Sequence, residues 1–293
     1  MSTSPAANLA LGLTDDLIGG SSLCWRYHHQ VSHHVHCNAA EYDEDVFSAL
    51  PFLRFDPRQP REPYHRWQHV YMWLLFPFLQ LAFQYGDLLA LFQNRTKGAN
   101  MYGAAGWERA SIALGKVAHY GLLMAVPWAT HGAAAALAGA AAFTVAQSIV
   151  LASTFAVSHN VPESKPLDDN ATRDLLYKDL AERDWGAQQV LTSANWGGVV
   201  GNFFTGGLNL QIEHHLFPAV FFGYYPAISA IVEDECNKRG IPYAKYGTLP
   251  SILARFVRYM KEVGGAEQIE GEKAAEAARP AMEREFGAVI ARI

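Results

Sequence analysis

Cysteine is scarce: Cys24, Cys37 and Cys236 are the only three in 293 residues, and no two form a CxxC pair. That is too few for a disulfide framework and fits a reducing compartment. Positive charge is short as well. Lys and Arg number 23 against 28 Asp and Glu, a net charge of −5 with histidines neutral, which excludes a general nucleic-acid binder, expected to be basic. Charged residues are 17% of a chain that is 50% hydrophobic, a balance that excludes disorder. Internal repeats are lacking. Residues 1–20 show none of the basic, apolar and small-residue regions of a secretory signal. Asp15 and Asp16 follow Leu9, Leu11 and Leu13 there, so a loose N-terminus is expected over 1–20.

What the chain does have is histidine, twelve in all. His28, His29, His33, His34 and His36 fall within nine residues, and scattered core histidines do not cluster in that way. It also has three apolar stretches. The first, 70–92, is interrupted by Pro77, Gln80, Gln84 and Asp87; the second, 110–128, carries Lys116 and His119; the third, 132–157, has no charged residue. About 20 apolar residues cross a bilayer, so the third suffices, and the second does if Lys116 snorkels from near its beginning. Core helices of a large soluble protein are the competing reading. The turn of few residues around Ala129 to Gly132 favours a transmembrane hairpin of 110–128 and 132–157, with Tyr120 and Trp128 as interfacial aromatics.

In WRYHHQVSHHVHCN, His29 and His33 are four apart and share a helical face, with His34 adjacent. Neutral imidazoles are good ligands for iron, copper, nickel and zinc. QIEHHLFP adds Gln211, His214 and His215, and SHNVPE adds His159 at the end of the third stretch. If these clusters share one centre, an even number of crossings separates His34 from Gln211. The broken stretch 70–92 is then the one expected to lie along the interface, and the hairpin returns His159 to the face it left.

HQVSHH and QIEHH, with WRYHH, TFAVSHN and NFFTGGLNLQIEHHLFP around them, resemble the membrane front-end fatty acyl desaturases. Residues 22–264 are most similar to the delta-5 acyl desaturases of marine microalgae and thraustochytrids. The resemblance implies an all-α integral membrane fold, a transmembrane hairpin under a histidine-rich metal-binding cap, with residues 21–265 as a partial desaturase domain. It implies O2-dependent insertion of a cis double bond, delta-5 on twenty-carbon polyunsaturated chains, at a di-iron centre. The implied metal ligands are His29, His33, His34, His159, His214 and His215, with Gln211 acting through water or a hydrogen bond. His28 and His36 are expected behind the ligands or at the surface, and His65, His69, His119 and His131 as interfacial or structural. Glu213 and Asp184 are expected to orient imidazoles, and Trp196, Phe203, Phe204 and Asn209 to wall the acyl channel.

The implied partners are the bilayer, a fatty acyl lipid or acyl-CoA, and cytochrome b5 with its NADH reductase; no nucleic acid is expected. The implied location is the endoplasmic reticulum membrane, multi-pass, with the histidines facing the cytosol. No H-x-x-x-H box precedes His28, and neither a haem-binding HPGG segment nor the two helices that would lead into the cluster can be found. The chain therefore reads as the C-terminal part of such an enzyme, ending in a charged helix over 266–293. Delta-4, delta-6, delta-8 and sphingolipid desaturases are alternatives, and so is a truncated paralogue that regulates a complete desaturase.

Overall fold

The computed structural model describes residues 3–164 and 184–268; the charged segment expected to be helical from 269 on, and most of the polar stretch 163–184, lie outside them. The first helix, α1 (Pro5–Leu17), corrects the expectation of a loose terminus. Ser4 caps it by accepting from the Ala7 N–H, and Pro5 occupies its first position, where a missing N–H costs nothing. The acidic residues that break the leucine pattern are its anchors. Asp16 accepts a hydrogen bond from Ser22 Oγ at 3.0 Å and presses on Gly115, where an added Cβ would meet it at 2.9 Å. Next comes α2 (Ser22–Trp25), which winds on as a π-helix over Arg26–His33, and then α3 (Glu44–Phe47), capped by Asp43.

Among the described residues, three helices are long and apolar enough to cross a membrane: α4 (Pro63–Gln93), α5 (Gly106–His131) and α6 (Ala133–His159). The last two form the hairpin expected from the sequence. At about 1.5 Å per residue each is about 40 Å long, against about 30 Å of hydrocarbon. Gly132 alone separates them, at φ 84°, a conformation that only glycine adopts without strain. Leu114, Val117, Leu122, Leu137 and Val150 on these helices are 56–71% exposed, an apolar surface suited to lipid.

The broken stretch 70–92 is the core of α4, which passes Pro77 through a tight turn at Phe76–Phe78. Its polar residues face inward. The Gln80 backbone N–H donates to Ser148 Oγ at 3.1 Å, Tyr120 OH donates to Gln84, and Asp87 pairs with Lys116. Lys116 therefore does not snorkel; it is buried. Both ends of α4 meet the same layer. Near its start Gln68 Nε2 donates to the Met260 and Arg54 carbonyls at 2.9 and 2.8 Å. Just past its end Thr96 Oγ1 and the Gly98 N–H donate to Glu44 at 2.8 and 2.7 Å.

That layer, the cap, is completed by α7 (Trp185–Leu191), α8 (Gly198–Thr205), α9 (Gln211–Leu216), α10 (Tyr225–Arg239) and α11 (Leu249–Gly265). A two-residue parallel pairing, β1 (Asn195–Trp196) with β2 (Lys245–Tyr246), joins them. The main core sits where α4, α6 and α11 converge, around Met72, Phe76, Ala152, Val157, Phe256 and Met260. Fully buried Arg54 locks the end of α11, donating to the Val263 and Ala266 carbonyls at 2.8 Å each.

Candidate metal centre

The π-winding of Arg26–His33 decides how the first histidine cluster works. An α-helix would set His29 over His33; a π turn instead stacks residues five apart, and the His34 N–H donates to the His29 carbonyl at 2.8 Å. His29 and His34 consequently turn their rings to one point, Nε2 to Nε2 3.1 Å. The first turns of α9 bring His214 to the same point, its Nε2 3.2 Å from each of the other two. Trp25 stacks on His29 with ring centroids 4.3 Å apart and fixes its plane.

Three imidazole nitrogens do not approach so closely for one another's sake, because at most one of each pair can donate. Nitrogens sharing one ion at about 2.1 Å lie about 3.0–3.4 Å apart for octahedral to tetrahedral angles. The triangle fits such an ion, and imidazole suits iron. Burial first, then the neighbouring imidazoles, keep these rings neutral and ready to ligate: His29 lies well below its usual range, His34 is lowered to about 3 and His214 to about 4.

A second group lies beside the first, with ligand atoms of His33, Cys37, His159 and His215 all within 4.8 Å of one another. Each ring is held through its far nitrogen. His215 Nδ1 donates to Gln189 Oε1 at 2.8 Å and His159 Nδ1 to the Thr192 carbonyl at 3.0 Å. His33 Nδ1 lies 3.0 Å from both oxygens of Asp43. Nε2 is thereby left as the lone-pair nitrogen on all three. On His215 it is buried with no hydrogen-bond partner among the described residues, a cost that a bound cation removes. Burial pushes His33 down, but Asp43 and Asp45 outweigh it and hold its pKa above the usual value, the basicity that carboxylate partners lend to metal-bound imidazoles. The residues present fit two metal ions side by side; His34 and His215, one from each group, stack at 4.2 Å.

The six histidines expected as ligands are thus brought together. Gln211 is there too, its side-chain nitrogen 2.9 Å from His159 Nε2, the same nitrogen that would face an ion. His28 is buried against Asp45 at 2.5 Å and raised to about 9, burial opposing and Asp45 prevailing. The remaining site residues fall elsewhere. Glu213 hydrogen-bonds no imidazole among the described residues; its oxygens accept from Asn195 Nδ2 at 2.7 Å and Tyr243 OH at 2.8 Å. Asp184 caps α7 by accepting from the Ala187 N–H at 2.9 Å, and it is Gln189 of that helix that orients an imidazole. Sequence reasoning missed Gln189, Asp43 and Asp45. The acidic run Asp43–Asp45, nine residues past His34, was the available signal; nothing marked Gln189.

The residues expected to wall the acyl channel do not line the cavity described below. Phe203 and Phe204 are 78% and 80% exposed, Trp196 Nε1 donates to Ser158 Oγ at 3.1 Å, and Asn209 braces the Trp196 and Gly198 carbonyls. The glycines there serve the turn into α8: Gly197 has φ 68°, and a Cβ on Gly201 would meet Asn209 at 2.6 Å. A cavity of about 530 Å³ lies instead between α2, α4 and α6. Trp25, Leu79, Phe83, Leu151 and Phe155 wall it, and His28, His33 and His159 close one end.

Comparison with known proteins accords with a buried histidine centre at the mouth of an apolar cavity. Residues 1–247 match the fatty acid desaturase family model.

The chain belongs to the fatty acid desaturase family.

It is 67% identical over 268 residues, 92% of its length, to a protein of Chlamydomonas reinhardtii named acyl-lipid (7-3)-desaturase, chloroplastic, covering 52% of that protein. It is 32% identical to the acyl-lipid (7-3)-desaturase of Rebecca salina, over 93% of this chain and 60% of that one. It is 26% identical to the Delta(5) fatty acid desaturase A of Dictyostelium discoideum, over 87% and 55%. The chain thus spans about half the length of the curated relatives it matches. No solved structure matches significantly.

Proposed function

We propose that this chain carries most of the metal centre and the acyl cavity of a front-end acyl-lipid desaturase. The observation that supports this most is the split of the histidines into two convergent sets at the end of an apolar cavity. His29, His34 and His214 would hold one iron, and His33, His159 and His215 a second, with Gln211 beside His159. Bound iron supplies the O2-dependent removal of hydrogen from an unactivated methylene, which no side-chain acid or base achieves. The protein's own share is placement. Asp43, Thr192 and Gln189 fix the tautomers of His33, His159 and His215, and Phe83 and Phe155 with the aliphatic walls keep water from the chain.

The membrane arrangement is part of the proposal. The hairpin α5–α6 crosses, and α4, anchored to the cap at both ends, dips in and returns, so an even number of crossings separates the two histidine motifs. A truncated regulatory paralogue would have no use for imidazoles held through Nδ1 with their Nε2 atoms converging, and the reading is therefore an enzyme. The 67% identity to a protein named a (7-3)-desaturase favours (7-3) regiochemistry over the delta-5 position expected from the sequence. The same relative is named chloroplastic, which favours that organelle over the endoplasmic reticulum. Cytochrome b5 with its NADH reductase is the proposed electron source.

The test is expression in yeast, fed polyunsaturated acyl chains and scored by gas chromatography–mass spectrometry of the lipids. A new cis double bond nearer the carboxyl end supports the reading, and its position decides between (7-3) and delta-5. If expressed, iron-loaded chain leaves every fed acyl chain unaltered, with the C. reinhardtii relative active in parallel, the reading fails for this chain.

A further inference from the structure

The apolar cavity has two unlike ends. Along α6 it touches Gln147, Leu151, Phe155 and His159, one face of the helix at spacings of four. Twelve residues at about 1.5 Å each give it a run of about 18 Å. His159 marks the metal end. At the other end stand Gln147, Ile18, Gly20, Asp15 and Asp87, where an apolar wall gives way to polar groups.

Those groups form one bonded unit. Lys116 Nζ donates to Asp87 Oδ2 at 2.5 Å and to the Gly19 and Gly20 carbonyls at 2.7 and 2.8 Å. Gln147 Nε2 donates to the Ile18 carbonyl at 3.1 Å, and His119 Nδ1 to the Leu17 carbonyl at 3.0 Å. Gly19 is needed for this: its φ is 99°, and a Cβ there would meet Gln84 at 2.7 Å and His119 at 2.9 Å. The link between α1 and α2 is thereby pinned across the cavity by a buried ion pair set between helices that are otherwise apolar. Ionisable groups at such depth are costly and are kept where they do something.

We propose that Asp87 and Gly20, held from behind by Lys116, are the floor of the acyl cavity and set the longest chain the enzyme accepts. The inference rests on the acyl-lipid reading above. An acyl chain whose reacting methylenes lie at His159 points its methyl end down α6 toward this floor. A methyl group meeting Asp87 and Gly20 gains no burial, and it cannot displace Asp87 without stranding a charge. Each carbon beyond the floor must fold back or leave the chain partly outside.

Gly86 gives a clean way to raise the floor. It lines the cavity one residue before Asp87, and a Cβ there meets nothing within 4 Å. Gly86→Leu therefore shortens the cavity with no steric conflict at the Cβ and favours the helix. Asp87→Leu with Lys116→Met lowers the floor, replacing the pair by apolar groups together so that no single charge is stranded. Gly139→Leu, on an open stretch of α6 that does not line the cavity, is the control.

The assay is displacement of cis-parinaric acid from the full chain in lipid nanodiscs by fatty acids of sixteen to twenty-two carbons. Affinity rises with length and then breaks. Gly86→Leu moves the break to a chain about two carbons shorter, with about tenfold weaker binding of the longest chain that the parent accepts. The double variant removes the break, and Gly139→Leu leaves it in place. An unchanged break in Gly86→Leu, or one retained in the double variant while the protein still binds cis-parinaric acid, overturns the floor. Because binding needs no turnover, a length break without any desaturation would count against the enzymatic reading and not against the floor.

Discussion

Gln189 is the sharpest point at which to press the metal centre. Its carboxamide oxygen accepts from His215 Nδ1 at 2.8 Å, while its Nε2 has no partner among the described residues. Its one assigned task is therefore to hold that imidazole in the tautomer with a lone pair on Nε2. Gln189→Leu, close in volume, strands a buried Nδ1–H at about 1–3 kcal/mol and lets His215 shift its proton to the nitrogen that should ligate. Loss of such a partner typically weakens metal binding 10–100-fold, or about 1.4–2.7 kcal/mol. Gln189→Glu keeps the acceptor and adds charge, and should match or exceed the parent. Iron retained against a graded chelator, read by mass spectrometry, measures both. The predicted result is loss of one of two irons in the leucine variant at chelator levels that spare the other. Equal retention of both irons in Gln189→Leu would refute the reasoning, because His215 would then need no tautomer control.

Further outcomes follow from other parts of the structure. Arg54→Met removes the donor from the Pro57, Gln59, Val263 and Ala266 carbonyls and should destabilise the chain by about 3 kcal/mol, seen as a lower midpoint in thermal unfolding. Asp15, raised to about 6 by burial first and by Asp16 next, takes up a proton on folding. Its stabilising share is full below pH about 4 and is lost as pH rises through about 6. Asp15→Asn should flatten the thermal stability profile across that window, by about 3 kcal/mol at most. Gly132→Ala should cost about 1–2 kcal/mol at φ 84°, visible as a lower unfolding midpoint in nanodiscs.

The hairpin was legible because 132–157 combines length with absence of charge, and Gly132 separates it from the apolar stretch 110–128. The six histidines were legible because their motifs are dense. Their division was not. Spacing of four between His29 and His33 suggested a shared face; the π-wound segment also brings His29 and His34 to one point, while His29 and His33 keep a group of their own with Asp45. A propensity argument does not predict a π turn, whose rarity makes it invisible until packing enforces it. Lys116 looked like a snorkelling residue because its partner, Asp87, sits 29 residues away on a helix that had to fold back to reach it. Phe203 and Phe204 read as channel wall from composition, but the direction in which a Gly-rich turn launches α8 is set by φ at Gly197, which no pattern of hydrophobicity encodes.

The central claim is that alternate members of adjacent histidine pairs serve different metal ions. Iron content per chain, measured for the parent and for His214→Ala and His215→Ala, tests it most directly. The account predicts two irons for the parent and one for each variant, with the iron lost from a different position in each, so that Gln189→Leu weakens the remaining iron in His214→Ala but not in His215→Ala. A single iron in the parent, or identical behaviour of the two variants toward Gln189→Leu, would contradict it.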